Sequence, residues 1–268
     1  MAPMNYLARD FYGNTRQKVP FDDLTVTETD YDYEYIDWHY HENPYFSLVT
    51  GGLCKHISKA ETLECDTGSL LFHNCHEAHC NHKFGLARGF QVELSHDWCR
   101  KYGVRLEDFP GSVLIDSINV KLLFNNIYKE AKLSDGFSKI TLDSLLLNAF
   151  SILRDDRKAD LGGKPRWAQR IDEILRENYS EPLSLAAMAR ELGLHWAHLS
   201  REFPKHFHCT FGEYARKVRV ERSLNIMRRK DLSLTDVAFE CGFSDQSHFI
   251  RCFREFIGVT PGVYRRLL

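Results

Sequence analysis

The chain has 268 residues, 43% hydrophobic and 13% aromatic, enough for two domains with cores of their own. No run of about 18 apolar residues occurs, and the opening MAPMNYLARDFYGN lacks a basic stretch followed by an apolar one, so neither a membrane span nor an export signal is expected, and a cytoplasmic protein is. The formal charge of −2 is unevenly placed: from Lys164 onward 18 Lys and Arg stand against 13 Asp and Glu, before it 17 against 24, which points to nucleic acid at the C-terminal end.

The first predicted elements are strands. VTETDYDYEYIDWHYH, NPYFSLVTGG, KHISKAETLECDTGSLLFHN and RGFQVELS are aromatic and β-branched runs with period-two alternation, broken by Gly, Asn and Pro, and they predict an all-β domain over residues 1–117. Residues 73–82, HNCHEAHCNH, place four histidines three apart with two cysteines between them. A step of three changes face on a strand and turns about 300° on a helix, so His73, His76, His79 and His82 do not converge from one regular element. At most two or three meet. The eight cysteines are read as reduced thiols, Cys54, Cys99, Cys241 and Cys252 as buried apolar residues, and Cys75 with Cys80 as a candidate redox pair.

Residues 118–156 then read as two amphipathic helices, VKLLFNNIYKEAKL and TLDSLLLNAFSILRDD, divided by SDGFSK. Their stripes, Leu122, Leu123, Ile127 and Leu142, Leu145, Leu146, Leu153, suit packing on each other or on a second subunit. RDDRKADLGGKPRW is charged and aperiodic, and predicts a linker over 157–166.

Residues 167–268 repeat themselves. SLAAMARELGL (184–194) matches SLTDVAFECGF (233–243), each with a Ser N-cap, apolar residues at helical spacing and a closing Gly, and each is followed by a second helix, HLSREF or HFIRCF. One copy is read as a bare helical hairpin; two copies in a basic domain read as paired helix-turn-helix units, whose second helices enter the major groove. A fragment from about residue 160 is expected to fold and bind DNA alone.

The segment from 167 onward resembles the DNA-binding domain of the AraC/XylS family of transcription regulators, and DVAFECGFSDQSHFIRCFREFIGVTPGVYRR matches its signature almost position for position. The resemblance implies seven helices, with EYARKVRVERSLNIMRR joining the two units. It implies base contacts from Ala197, Ser200 and Arg201 in the first recognition helix and Gln246, Ser247 and Arg251 in the second. Arg suits guanine and Gln adenine bidentately, while Ser is permissive and Ala can only touch a thymine methyl. Lys205, Arg216, Arg219 and Arg254 are placed near phosphates. Pro204 and His208 depart from the family pattern, and a bend after Phe203 is expected.

The N-terminal part resembles, more loosely, the cupin or jelly-roll barrel with which these regulators sense a small-molecule effector, so the fold class is a β-barrel with two helices followed by an all-α domain. On the cupin pattern His39 and His41 form the His-any-His pair and His79 the third ligand, with His73, Glu77 or Cys75 completing a shell for zinc, nickel or iron. Tyr45 or Phe46 stands where the cupin glutamate is expected, and Asn74 and His76 replace the usual Pro and Gly. The function implied is an effector-controlled promoter-binding regulator, acting as an activator, with promoter DNA, RNA polymerase and a second subunit as partners and no enzymatic activity. Two alternatives remain open: a metal- or thiol-stress sensor using the His/Cys cluster, and a cupin metalloenzyme fused to DNA-binding units.

Overall fold

The structure, a computed structural model, describes residues 7–8, 11–161, 163 and 165–268. It divides into two compact units, one running to Asp116 and including Glu130–Phe150, the other formed by Ser117–Lys129 and Ser151–Leu268.

The first unit holds nine strands: β1 (Leu7–Ala8), β2 (Asn14–Phe21), β3 (Leu24–Tyr31), β4 (Tyr35–Tyr40), β5 (Tyr45–Ser58), β6 (Thr62–Cys65), β7 (Leu70–His73), β8 (His79–Leu94) and β9 (Ser112–Leu114). A closed barrel is not what forms. The strand path β1-β4-β8-β5-β7-β9 has two free ends, with β2 and β6 added through β3 and β5. The cause lies in the two long central strands. The β5–β8 pairing slips between Val49 and Leu53, where Gly52 adopts φ +84 and an added Cβ would lie 2.3 Å from the Leu86 carbonyl. Up to this bend β5 pairs with β7, beyond it with β6, while β8 turns from β4 to β3. The two halves of one hairpin thereby carry two half-sheets whose inner faces line a common cavity.

The outer face of the first half is an aromatic core. Phe46, Phe72 and Phe109 pack edge-on against Phe150 of helix α3 (Ser138–Leu161), which Trp98 of α1 (His96–Tyr102) also meets. Asp143 ties this layer together by accepting from Trp98 Nε1 (2.8 Å), Tyr102 Oη (2.7 Å) and Lys139 Nζ (2.6 Å). The helix α3 continues through residues 157–161, where the sequence reads as linker: the segment is charged, but nothing before Gly162 breaks a helix.

The second unit contains, among the described residues, α4 (Arg166–Glu177), α5 (Leu185–Glu191), α6 (Trp196–Phe207), α7 (Phe211–Ile226), α8 (Leu234–Glu240), α9 (Gln246–Ile257) and α10 (Pro261–Arg265), together with the first turns of α2 (Ile118–Leu133). Ile118 joins the cluster of Ile171, Leu199, Phe203 and Phe207. Further along α2, Asn125 accepts from Tyr264 Oη (2.9 Å), Tyr128 donates to the Leu267 carbonyl (2.9 Å) and Lys129 to that of Ile257 (2.8 Å). Of the apolar stripes of α2 and α3, Leu122, Ile127, Leu142 and Leu146 are buried, while Leu123, Leu145 and Leu153 are half-buried. A fragment beginning at residue 160 lacks these α2 contacts.

Pro204 does not end the first recognition helix, which runs unbroken to Phe207 and closes through the His208 amide on the Pro204 carbonyl (2.9 Å). His208 takes the left-handed conformation at φ 56, the position that Gly258 fills at φ 81 in the second unit. A side chain there costs roughly 1 kcal/mol, so His208→Gly is expected to stabilise the second unit by about that amount, read as a rise in its urea midpoint at unchanged slope.

Candidate functional site: nucleic-acid interface and inner pocket

Each helix-turn-helix unit is set by local chemistry. Ser184 caps α5 by accepting from the Ala187 amide, and Ser233 caps α8 in a reciprocal box with Asp236. Gly193 and Gly242 turn the chain at φ 65 and 76. The second helices bury Leu199, Phe203 and Phe207, or Phe249, Phe253 and Ile257, and leave Ser200 and Arg201, or Gln246, Ser247 and Arg251, exposed. Ala197 is half-buried. Arg254 is exposed, Arg216 is half-buried, and Lys205 is exposed but paired with Glu202 at 2.8 Å.

Arg219 braces the fold: its guanidinium donates to the carbonyls of Tyr179 (2.8 Å) and Glu181 (2.9 Å), clamping the loop after α4. Trp196, which the sequence reading passed over, opens α6 with 60% of its surface exposed, at the place where α9 has Gln246. A large flat ring at a recognition-helix N-terminus suits a thymine methyl or a deoxyribose; the only sequence signal was an aromatic residue in the first turn of an otherwise amphipathic helix.

In the first unit a cavity is lined by Tyr31, Tyr45, His39, His41, His56 and His79 among others. His39, His41 and His79 are fully buried and present ligand nitrogens all within 4.8 Å of one another. Two of the three are oriented by backbone carbonyls: His39 Nδ1 donates to Asp37 O (2.7 Å) and His79 Nδ1 to Glu77 O (2.9 Å), which turns each Nε2 away from that bond. Tyr45, in the cupin glutamate's place, brings its hydroxyl to 3.3 Å from His79 Nε2.

Burial, reinforced by His39 and His56, pulls the His79 pKa down to about 2; burial likewise holds His73 well below the ordinary value. His56 is lowered to about 4, by burial first, against the opposing effect of Asn81. These imidazoles are neutral at physiological pH, and a neutral imidazole carries a lone pair that a metal ion or a hydrogen-bond donor can use.

The turn of HNCHEAHCNH is pinned by Asn74, whose amide donates to the carbonyls of Leu106 and Phe109, both at 2.9 Å, and by His76 at φ 60 in the glycine's stead. His73 stacks on Tyr45 beside the triad and bonds Ser112. Cys75 is not with the triad; it groups with His76 and His96 at the surface. Glu77 contributes its carbonyl to His79. His82 packs against Phe84. His56, absent from the candidate set, stands 4.9 Å from His79 and 4.7 Å from His73 by ring centroid, and neither of its ring nitrogens makes a hydrogen bond of normal geometry.

A helix-turn-helix domain family model matches residues 188–267. The probable transcription factor PqrA of Proteus vulgaris is 35% identical over 86 residues, 32% of this chain and 70% of PqrA. The chain belongs to the AraC/XylS family of transcription regulators. Its similarity to the transcriptional regulator GbdR of Pseudomonas aeruginosa is 29% over 130 residues, 48% of this chain and 35% of GbdR, so the chain spans about a third of that relative's length. The transcriptional activator RhaS of Pectobacterium carotovorum is 25% identical over 238 residues, 83% of this chain and 85% of RhaS, a match that reaches past the helix-turn-helix units into the sheet domain. No helix among its described residues is long and apolar enough to cross a membrane.

Proposed function

We propose that the protein is a promoter-specific regulator in which α6 and α9 read base edges in two major-groove segments, and a small effector in the cavity of the first unit controls how they do so. The observation that carries this reading is the repetition of one exposed surface: Arg201 and Arg251 occupy the same place in two helices capped and packed alike. Two bidentate-capable guanidiniums on paired recognition helices suit a bipartite site. Footprinting on the DNA upstream of the protein's own and neighbouring genes tests it. Protection of two short segments about one helical turn apart is expected, with affinity falling roughly tenfold or more between 50 and 200 mM salt. Equal affinity for random DNA would sink the reading.

A second reading of the cavity, as the seat of a transition metal, is favoured by the three-imidazole cluster. Nitrogen donors without an adjoining carboxylate suit zinc, nickel or ferrous iron over magnesium or calcium. The regulator would then be set by metal occupancy or by an organic ligand seated on the metal.

A further inference from the structure

One row of side chains in the cavity is used by neither reading. On β6, β5 and β8 the residues Cys65, Cys54 and Lys83 are direct cross-strand partners, Cys65 opposite Cys54 and Cys54 opposite Lys83, and all three line the cavity. Directly paired residues project to the same face of a sheet. Their Cα atoms stand roughly 4.5–5.5 Å apart in antiparallel pairs, inside the span of about 4.4–6.8 Å that a disulfide bridges.

Lys83 is unusual in itself. It is 4% exposed, and its ammonium makes no hydrogen bond; it lies over the Tyr31 ring, 3.7 Å from the centroid. Burial pulls its pKa down to about 8, against the opposing charges of Cys54 and Asp32; a buried ammonium is costly, and an anion brought beside it removes much of that cost. The side chain across the strand that can become an anion is Cys54.

We propose that Cys54 and Cys65 form a hydroperoxide-reactive dithiol, with Lys83 as the positioning cation for the Cys54 thiolate. The Cys54 sulfur attacks one oxygen of the hydroperoxide: an S–O bond forms, the O–O bond breaks, and the leaving oxygen takes the proton released by the thiol, giving a sulfenic acid and an alcohol, or water from hydrogen peroxide. The Cys65 sulfur then attacks the sulfenic sulfur. The S–S bond forms, the S–O bond breaks, and hydroxide leaves as water with the Cys65 proton. The two sulfurs lose two electrons and the peroxide gains them.

The thiols differ as this requires. Cys54 is the cysteine whose pKa is lowered, by its hydrogen bond with Cys65 first and by Lys83 against the opposing effect of burial. The other seven are raised, Cys65 by its bond with Cys54 and the rest by burial. Cys54 is partly exposed and Cys65 fully buried, the order expected of an attacking and a resolving thiol. Cys75 and Cys80, the pair suggested by sequence, lie apart from this row, Cys75 with His76 and His96 and Cys80 beside Tyr35.

The test uses the reduced full-length protein, treated with a few equivalents of hydrogen peroxide, alkylated and mapped by mass spectrometry. A peptide pair linked through Cys54 and Cys65 is expected, with the other six cysteines alkylated. In Cys65→Ser, or in Cys65→Ala should the serine variant misfold, dimedone should tag Cys54; in Cys54→Ser it should tag neither position. Lys83→Met should slow oxidation of Cys54 at least tenfold at neutral pH, with the difference shrinking as pH rises through the thiol range. Oxidation of any other cysteine ahead of Cys54, or a rate unchanged by Lys83→Met, overturns the proposal. DNA binding by the oxidised protein is a separate readout, so the chemistry stands or falls independently of the regulatory reading.

Discussion

Arg251→Ala is expected to weaken binding to the protein's own site by about 1–3 kcal/mol, while random DNA loses much less. The guanidinium projects from the exposed face of α9, six residues past the Asp245 cap, with Phe249 and Phe253 fixing the helix from behind. A fork of donors held by a rigid helix matches guanine O6 and N7, and its loss leaves one base position unread. The measurement is competition binding against a set of sites substituted one base at a time: preference should flatten at a single position. Arg254→Ala, three residues on, should weaken every sequence alike, as a phosphate contact does. Arg219→Ala is a third kind of change. Because Arg219 holds the Tyr179 and Glu181 carbonyls, its loss should lower the unfolding midpoint and leave the pattern of base preference intact. Equal losses on specific and random DNA from Arg251→Ala would remove it from the base-reading set.

The contrast among these arginines shows where sequence reasoning reaches and where it stops. The helix-turn-helix units were legible because their determinants are local: a serine three residues ahead of a capped amide, apolar residues at helical spacing, a glycine at positive φ. The bracing bonds of Arg219 were not legible, because its partners lie some 40 residues away in sequence, in a loop with no pattern of its own. Pro204 lies inside α6, which continues to Phe207, and Phe203 and Phe207 on either side of it are locked in the core.

The first unit shows the same division. Strand content follows from alternation, but openness of the sheet follows from a register slip at Val49–Leu53 that no local rule contains. His39, His41 and His79 were grouped through a pattern borrowed from a fold, whereas His56, Cys54, Cys65 and Lys83 belong to rows that exist only once β5 is aligned with β6 and β8. Parity alone would have put His56 and Cys54 on one face. Which strands lie beside that face is tertiary information.

The largest change is expected at His79. Protein freed of metal with a chelator and returned to zinc, nickel or ferrous iron should bind one ion per chain through His39, His41 and His79, and His79→Ala should abolish it. Zinc–nitrogen bonds of roughly 2.0–2.1 Å place tetrahedral ligand atoms about 3.3 Å apart, so nitrogens within 4.8 Å need only modest side-chain rotation to close on an ion. The imidazoles are ready for it: His79 is held neutral by burial, so little proton release opposes binding near neutral pH, and the Asp37 and Glu77 carbonyls fix two of the three rings. His82→Ala is the control, because His82 packs on Phe84 outside the cavity lining, and it should leave stoichiometry and affinity unchanged. Replacing His56 separates proximity from coordination: a neighbouring ring that is not a ligand should alter affinity far less than His79 does. Metal analysis and the thermal shift with added ions read all four proteins. Wild-type protein with no stoichiometric metal and no shift would assign the cavity to an organic ligand seated among neutral histidines, and metal retained by the variant lacking His39, His41 and His79 would move the site to the surface group of Cys75, His76 and His96.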